Sequence, residues 1–175
     1  MTDAIAELTR LYRSPAAHEL YDEAVTELAH ALQCAELAAA AGADDALVVA
    51  ALAHDVGHLL TARPDDTTHE LVGADFLARW FPPAVVGPVA LHVDAKRYLC
   101  ATDATYHATL SPASVASLVG QGGPMDDAER AAFEAAPHAE AAVRLRRWDD
   151  DAKVADLPTR DLEAFVPLIE RVLGE

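Results

Sequence analysis

Basic residues are scarce in this 175-residue chain: Lys and Arg total 13 against 29 Asp and Glu, a formal charge of -16. Such a field repels phosphate backbones and anionic membranes, so nucleic acid is not an expected partner. Cysteine is nearly absent. Cys34 and Cys100 allow at most one disulfide, and neither sits in a Cys-x-x-Cys pair of the kind that binds metal, which suits a reducing, cytoplasmic setting. No apolar run approaches the roughly 20 residues needed to cross a bilayer, and the opening "MTDAIAELTRLYR" lacks the basic-then-apolar pattern of a signal peptide. Strict alternation of apolar and polar residues, the mark of strands, is missing too, as are internal repeats and low-complexity linkers.

What is present is helical periodicity cut by Gly and Pro, so the fold class is all-α, a single helical bundle over residues 1–175. The spacing predicts helices over Asp3–Tyr12, Val25–Ala41, Ala46–Val56, His69–Phe81, Pro83–Val93, Pro112–Leu118, Ala128–Ala135, Ala139–Asp150 and Arg160–Leu173. Gly42 follows one helix, Asp44 or Asp45 can N-cap the next, Asp126 or Asp127 caps a later one, and Pro158 forces a break.

The stretch "AALAHDVGHLL", Ala50–Leu60, sets polar groups where apolar core is expected. On one continuous helix Leu47, Ala50, Ala51, His54 and His58 share a stripe, so His54 points inward, and Asp55 falls beside a face with Val48 and Leu52. Burying such groups costs several kcal/mol unless each has a partner. A lone His-Asp pair is ordinarily just a hydrogen bond inside a bundle. Here, though, His30, His69 and His92 also lie in or beside core segments, and one metal site would satisfy them all, since imidazole and carboxylate suit iron, manganese, zinc or nickel. Asp149, on a stripe with Ala142 and Leu145, completes the set, although an acidic run such as Asp149–Asp151 is more often a solvated face.

The ordered pattern H…HD…H…H…D resembles the HD-domain superfamily of helical metal proteins. Further stretches, "HALQCAELA", "LAHDVGH", "HELVGADFL", "HVDAKRYL", "LSPAS", "QGGPMDDAER" and "LRRWDDDAK", look like its phosphonate-degrading oxygenases of the PhnZ and TmpB type, with myo-inositol oxygenase a more distant relative. The likeness runs in order from about Tyr21 to Lys153. It implies two irons, Fe(II)/Fe(III), one held by His30, His54, Asp55 and Asp149, the other by His69 and His92, with Asp55 bridging. By formal counting such a centre with two aspartates carries about +3, enough to draw an anionic substrate into an acidic protein. The implied reaction is O2-dependent cleavage of the C–P bond of an α-hydroxylated aminophosphonate, 1-hydroxy-2-aminoethylphosphonate or its N-methylated analogue, to phosphate and an amino acid. The superfamily's commoner chemistry, divalent-metal hydrolysis of a nucleotide or small phosphate ester, is the alternative.

The same resemblance implies substrate contacts: His58, Lys96, Ser114 and Arg146 as donors to phosphonate oxygens, and Gln121 in "GQGGP", where the glycines serve a tight turn and no P-loop Lys-Ser/Thr follows. As bare sequence features Lys96 and Arg146 are ordinarily surface charges, and Arg146 can instead pair with Asp149 or Asp150 along its own helix. In the resembled group a tyrosine three residues before a glutamate closes over the metal, and the glutamate receives the substrate's ammonium. Glu23 keeps the distance to His30 and inherits the glutamate role, with His58 and Lys96 as its catalytic partners. Tyr21 stands only two residues before Glu23, which departs from the tyrosine pattern. The segment "LLTARPDDTT" is short for the group, and Asp94 reads first as facing water, with selection of a cationic head group the alternative. With aromatics at 6% of the chain, an aromatic cage for a quaternary ammonium is poorly supplied, which favours a primary amine.

Overall fold

A computed structural model describes residues 3–22, 24–61 and 68–174. In chain order it gives α1 (Asp3–Tyr12), a 3-10 turn (Pro15–His18), a hairpin of β1 (Leu20–Asp22) and β2 (Val25–Thr26), then α2 (Glu27–Ala40), α3 (Asp45–Ala53), α4 (Val56–Leu60), α5 (His69–Leu77) and α6 (Pro83–Thr102). After a second 3-10 turn (Tyr106–Thr109) come α7 (Pro112–Gly120), α8 (Asp127–Glu134), α9 (Ala139–Asp151), a third turn (Leu162–Phe165) and α10 (Val166–Leu173). The chain is all-α apart from the antiparallel hairpin, which takes Val25 and Thr26 from the predicted second helix. Thr26 is instead that helix's N-cap, its hydroxyl accepting from the N–H of Ala29.

Helix α3 is the axis of the fold. Every residue from Leu47 to Ala53 is buried, because α2, α6, α9 and α10 all pack on it, and its alanines let those neighbours approach. Burial of Leu47, Val48, Val49 and Leu52 contributes on the order of 1.5–3 kcal/mol each. Asp44 caps it, accepting from Leu47 N–H at 2.9 Å, and Asp126 forms a capping box with Glu129 at the start of α8. A smaller apolar cluster of Ala95, Met125, Phe133, Ala139 and Ala142 joins α6, α8 and α9.

Two predicted helices differ in ways that matter for the site. The helix expected over Ala46–Val56 stops at Ala53: Asp55 takes φ -99, ψ 11, and α4 begins a new direction at Val56. The stripe that joined His54 to His58 therefore does not exist, although His54 is buried as expected. Helix α6 does not end at Val93 but runs on to Thr102, with Pro88 inside it. The charges after Val93 read as a helix end because they break the apolar pattern, yet Lys96 is buried on a hydroxyl and Arg97 is paired with Asp94 and Glu129. At the C-terminus, the expected Arg160–Leu173 helix is divided into a 3-10 turn and α10.

Candidate metal centre

Four helices and one helix break bring the six sequence-selected groups together. His30 comes from α2, His54 and Asp55 from the break after α3, His69 from the first turn of α5, His92 from α6 and Asp149 from α9. All six are buried. Three imidazoles have their outer nitrogen fixed by a main-chain carbonyl: Nδ1 of His30 on Ala152 O (2.9 Å), of His54 on Ala51 O (2.9 Å) and of His92 on Val89 O (2.7 Å). That contact assigns the proton to Nδ1 and leaves Nε2 as a lone-pair donor toward the centre, the arrangement metal-ligating histidines use.

Asp55 stands between two pairs of Nε2 atoms. Its Oδ2 lies 3.2 Å from His54 and 3.6 Å from His30, and its Oδ1 lies 3.3 Å from both His69 and His92. Asp149 approaches the first pair, Oδ1 at 3.3 Å from His30 and Oδ2 at 3.9 Å from His54. Among the described residues, both oxygens of Asp55 and Oδ1 of Asp149 are buried without a hydrogen-bond partner. Unpartnered carboxylate oxygens facing imidazole lone pairs are costly as an organic packing and natural as a cation's donor set. His30, His54, Asp55 and Asp149 each offer an atom within 4.8 Å of the others, as do Asp55, His58 and His69.

The electrostatics agree with that geometry. Burial alone would raise both carboxyls, but His54, His30 and His69 around Asp55, and Arg146 with His30 around Asp149, hold them well below the usual carboxylate range. Burial pushes His92 down to about 4 and leaves it a neutral donor, whereas Asp149 and Asp55 carry His30 to about 10 against its own burial, so a cation at its Nε2 displaces a proton. His58, its ring stacked on His69 at 4.0 Å between centroids, is pushed down to about 4 by burial and is neutral at pH 7.

Beside the metal-facing groups stand three cations, Lys96, Lys153 and Arg146. Lys96, one turn past His92 on α6, donates to Ser117 Oγ at 2.8 Å, and burial followed by the charge of Arg146 lowers it to about 8. Lys153 donates to Ser114 Oγ at 3.3 Å with Asp149 Oδ1 4.0 Å away. Arg146 is committed to protein partners: Nη1 holds Asp149 Oδ2 at 2.6 Å, Nη2 pairs with Asp150, and Nε donates to Tyr106 and Asp150. The pairing along its own helix is thus realised, and it orients a proposed ligand.

Lys153 and Ser117 were missed in the sequence. Lys153 closes the stretch "LRRWDDDAK", so the only signal was adjacency to Asp149, and Ser117 carried none. Gln121 is not joined to the cluster: it follows α7 two turns beyond Ser114, roughly 10 Å along the axis, and its buried Oε1 has no partner among the described residues. Gly122 and Gly123, with φ +99 and +74, do form the expected tight turn. Asp94 pairs with Arg97 on the solvent side, as read. The Tyr21 side chain and Glu23 lie outside the described residues.

A buried His/Asp nest at a helix break, walled by helices, is the architecture of HD-domain proteins, and the profile of the HD domain family matches residues 28–110. That span holds every sequence-selected metal-facing group except Asp149. A curated protein of Gimesia maris named hydroxymethylphosphonate dioxygenase is 48% identical over 161 residues, covering 87% of this chain and 80% of its own. Another, from Leisingera caerulea, named [1-hydroxy-2-(trimethylamino)ethyl]phosphonate dioxygenase (glycine-betaine-forming), is 41% identical over 164 residues, covering 90% and 84%. The chain belongs to the HD-domain oxygenases of the PhnZ type, and it is an enzyme. No helix of the described residues is long and apolar enough to cross a membrane.

Proposed function

We propose that this enzyme is a mixed-valent diiron oxygenase that cleaves the C–P bond of a small α-hydroxylated phosphonate, with 1-hydroxy-2-aminoethylphosphonate as the substrate to test first. The observation that carries the reading is Asp55, which offers one oxygen to His30 and His54 and the other to His69 and His92. A carboxylate so placed suits two cations a few ångströms apart, with Asp149 completing the first set. Nitrogen and carboxylate donors without thiolate fit iron.

When bound, an Fe(II)/Fe(III) pair supplies Lewis acidity toward the substrate's hydroxyl and phosphonate oxygens together with the redox capacity to use O2. Hydrolysis lacks the latter, and a P–C bond offers no oxygen leaving group for metal-activated water. The balance closes: 1-hydroxy-2-aminoethylphosphonate and O2 give glycine and phosphate, the C–P bond breaking while carbon is oxidised to a carboxylic acid and both oxygen atoms enter the products. The protein's own part is positioning and electrostatics. Lys96 and Lys153 face the anionic end with Ser114 and Ser117 between them, giving charge-assisted hydrogen bonds to phosphonate oxygens. Arg146, committed to Asp149, Asp150 and Tyr106, holds Asp149 in place and adds its charge to the positive side of the site.

The head group is the finer question. The relatives' names span a phosphonate with no amine and one with a quaternary ammonium. Glu23 supports an ammonium by the resemblance; Glu27, buried nearby, is pushed up to about 9 by burial and the charge of Asp55, is neutral at pH 7 and adds no charge for an ammonium. The test is oxygen-dependent phosphate release from hydroxymethylphosphonate and from the primary-amine and trimethylated compounds under identical conditions, beside an anaerobic control. Preference for the primary amine supports the assignment. A higher kcat/KM for either other compound reassigns the head group, and oxygen-independent release from phosphate esters overturns the oxygenase chemistry.

A further inference from the structure

Helix α2 carries a second fully buried polar side chain one turn beyond His30. Gln33 makes two hydrogen bonds to the main chain of a single residue: its Nε2 donates to Val154 O at 2.8 Å, and the N–H of Val154 donates to its Oε1 at 3.1 Å. Two residues earlier, Ala152 O accepts from Nδ1 of His30 at 2.9 Å. Two side chains of α2 therefore grip the segment 152–154, which has left α9 at Asp151 and belongs to no helix or strand.

Between the two grips stands Lys153, its ammonium 3.3 Å from Ser114 Oγ. We infer that Gln33 is a positioning residue for substrate binding: by fixing both main-chain polar groups of Val154 it sets the direction in which Lys153 leaves the backbone, and so delivers that cation to the phosphonate end of the pocket. This rests on reading the site as one that binds a phosphonate. The physical argument is one of entropy. A lysine side chain on an unsupported segment spreads its charge over many rotamers and backbone positions, and ordering it would have to be done at the substrate's expense. An amide that both donates to and accepts from one residue fixes that residue as a rung of a sheet would. Val154 is half exposed, so water replaces the lost bonds when the amide is removed and the segment loosens without unmaking the core.

The test is a double-mutant cycle between Gln33→Met and Lys153→Met on the iron-loaded enzyme, with circular dichroism and iron content recorded for each variant. Two readouts are taken: KM against kcat with the hydroxyphosphonate that the wild type turns over, and the dissociation constant of inorganic phosphate by calorimetry. Gln33→Met raises KM and the phosphate dissociation constant by about tenfold, with the effect falling on KM more than on kcat, and adds nothing in the Lys153→Met background because both remove the same contact. Effects of the two substitutions that multiply, unchanged phosphate affinity in Gln33→Met, or loss of iron from Gln33→Met would each overturn the inference, the last by making Gln33 a support of His30 alone. A wild type that binds phosphate but turns over no hydroxyphosphonate would defeat the proposed function while leaving the phosphate arm of the cycle to judge Gln33.

Discussion

Gly57 gives the sharpest test of how the fold sets the metal spacing. A Cβ built there would meet His69 O at 2.0 Å, its carbonyl carbon at 2.7 Å and its Cα at 3.0 Å, all backbone atoms that no rotamer change can move. Ordinary contact begins at 3.4 Å, so Gly57→Ala must push the first turn of α5 away by about 1.4 Å. That turn carries His69, whose Nε2 is 3.3 Å from Asp55 Oδ1. Metal–ligand bonds tolerate roughly 0.2 Å, so the displacement is several times what the His69–His92 position can absorb. His30, His54 and Asp149 lie on other elements and keep their places. On the proposed diiron centre, the expected outcome is iron falling from two to one per chain, loss of the coupled Fe(II)/Fe(III) signal in electron paramagnetic resonance after mild oxidation, and a stability cost of about 1–3 kcal/mol from overpacking. Gly87→Ala is the matched control: its Cβ would meet the His138 ring at 2.4 Å, away from the centre, and should cost stability while both irons stay. Two irons and an intact coupled signal in Gly57→Ala would refute the reasoning.

Asp55→Ala removes the one group shared by both pairs of imidazoles and should abolish binding of both irons, measured as metal per chain; retention of two irons would exclude the bridging role. Lys96→Ala should keep the irons and raise KM for the hydroxyphosphonate ten- to a hundredfold, the scale of one charge-assisted hydrogen bond, whereas Arg146→Ala should also weaken iron retention, because Nη1 of Arg146 holds Asp149 at 2.6 Å. Full iron and unchanged KM in Arg146→Ala would show that Asp149 orients itself. Lys96, lowered to about 8 chiefly by burial, is charged below that pH, so kcat/KM should be sustained at neutral pH and fall as pH rises through 8. In Lys96→Arg that limb should move to higher pH; a limb that persists there belongs to another group.

Much of the centre was legible because burial constrains chemistry. A histidine on an apolar stripe must find a partner, and His30, His54, His69 and His92 with Asp55 and Asp149 could find one in common; the structure brings all six to one place. Helix α1 and the capping roles of Asp44 and Asp126 were legible for a similar reason, since they depend on residues within four positions of one another. Tertiary structure decided the rest. The helix break at Asp55 cannot be read from periodicity, because Val56 and Leu59 continue the apolar pattern across it; the close passage of α5 over Gly57 is part of what fixes the turn. The continuation of α6 past Val93 depends on Ser117 and Glu129, which reach Lys96 and Arg97 from other elements. Arg146 had donors for either phosphonate or carboxylate, and only the placement of Tyr106, 40 residues away, alongside Asp150 filled them from within the protein. Gln33 was silent for the same reason: its partner, Val154, lies 121 residues along the chain, and a hydrogen bond across that distance exists only once α2 and the end of α9 have packed. The sequence by itself determined which groups needed a metal, because desolvation acts on each residue wherever it is buried; which oxygen of Asp55 faces which imidazole pair, and which carboxylates Arg146 holds, were decided by packing.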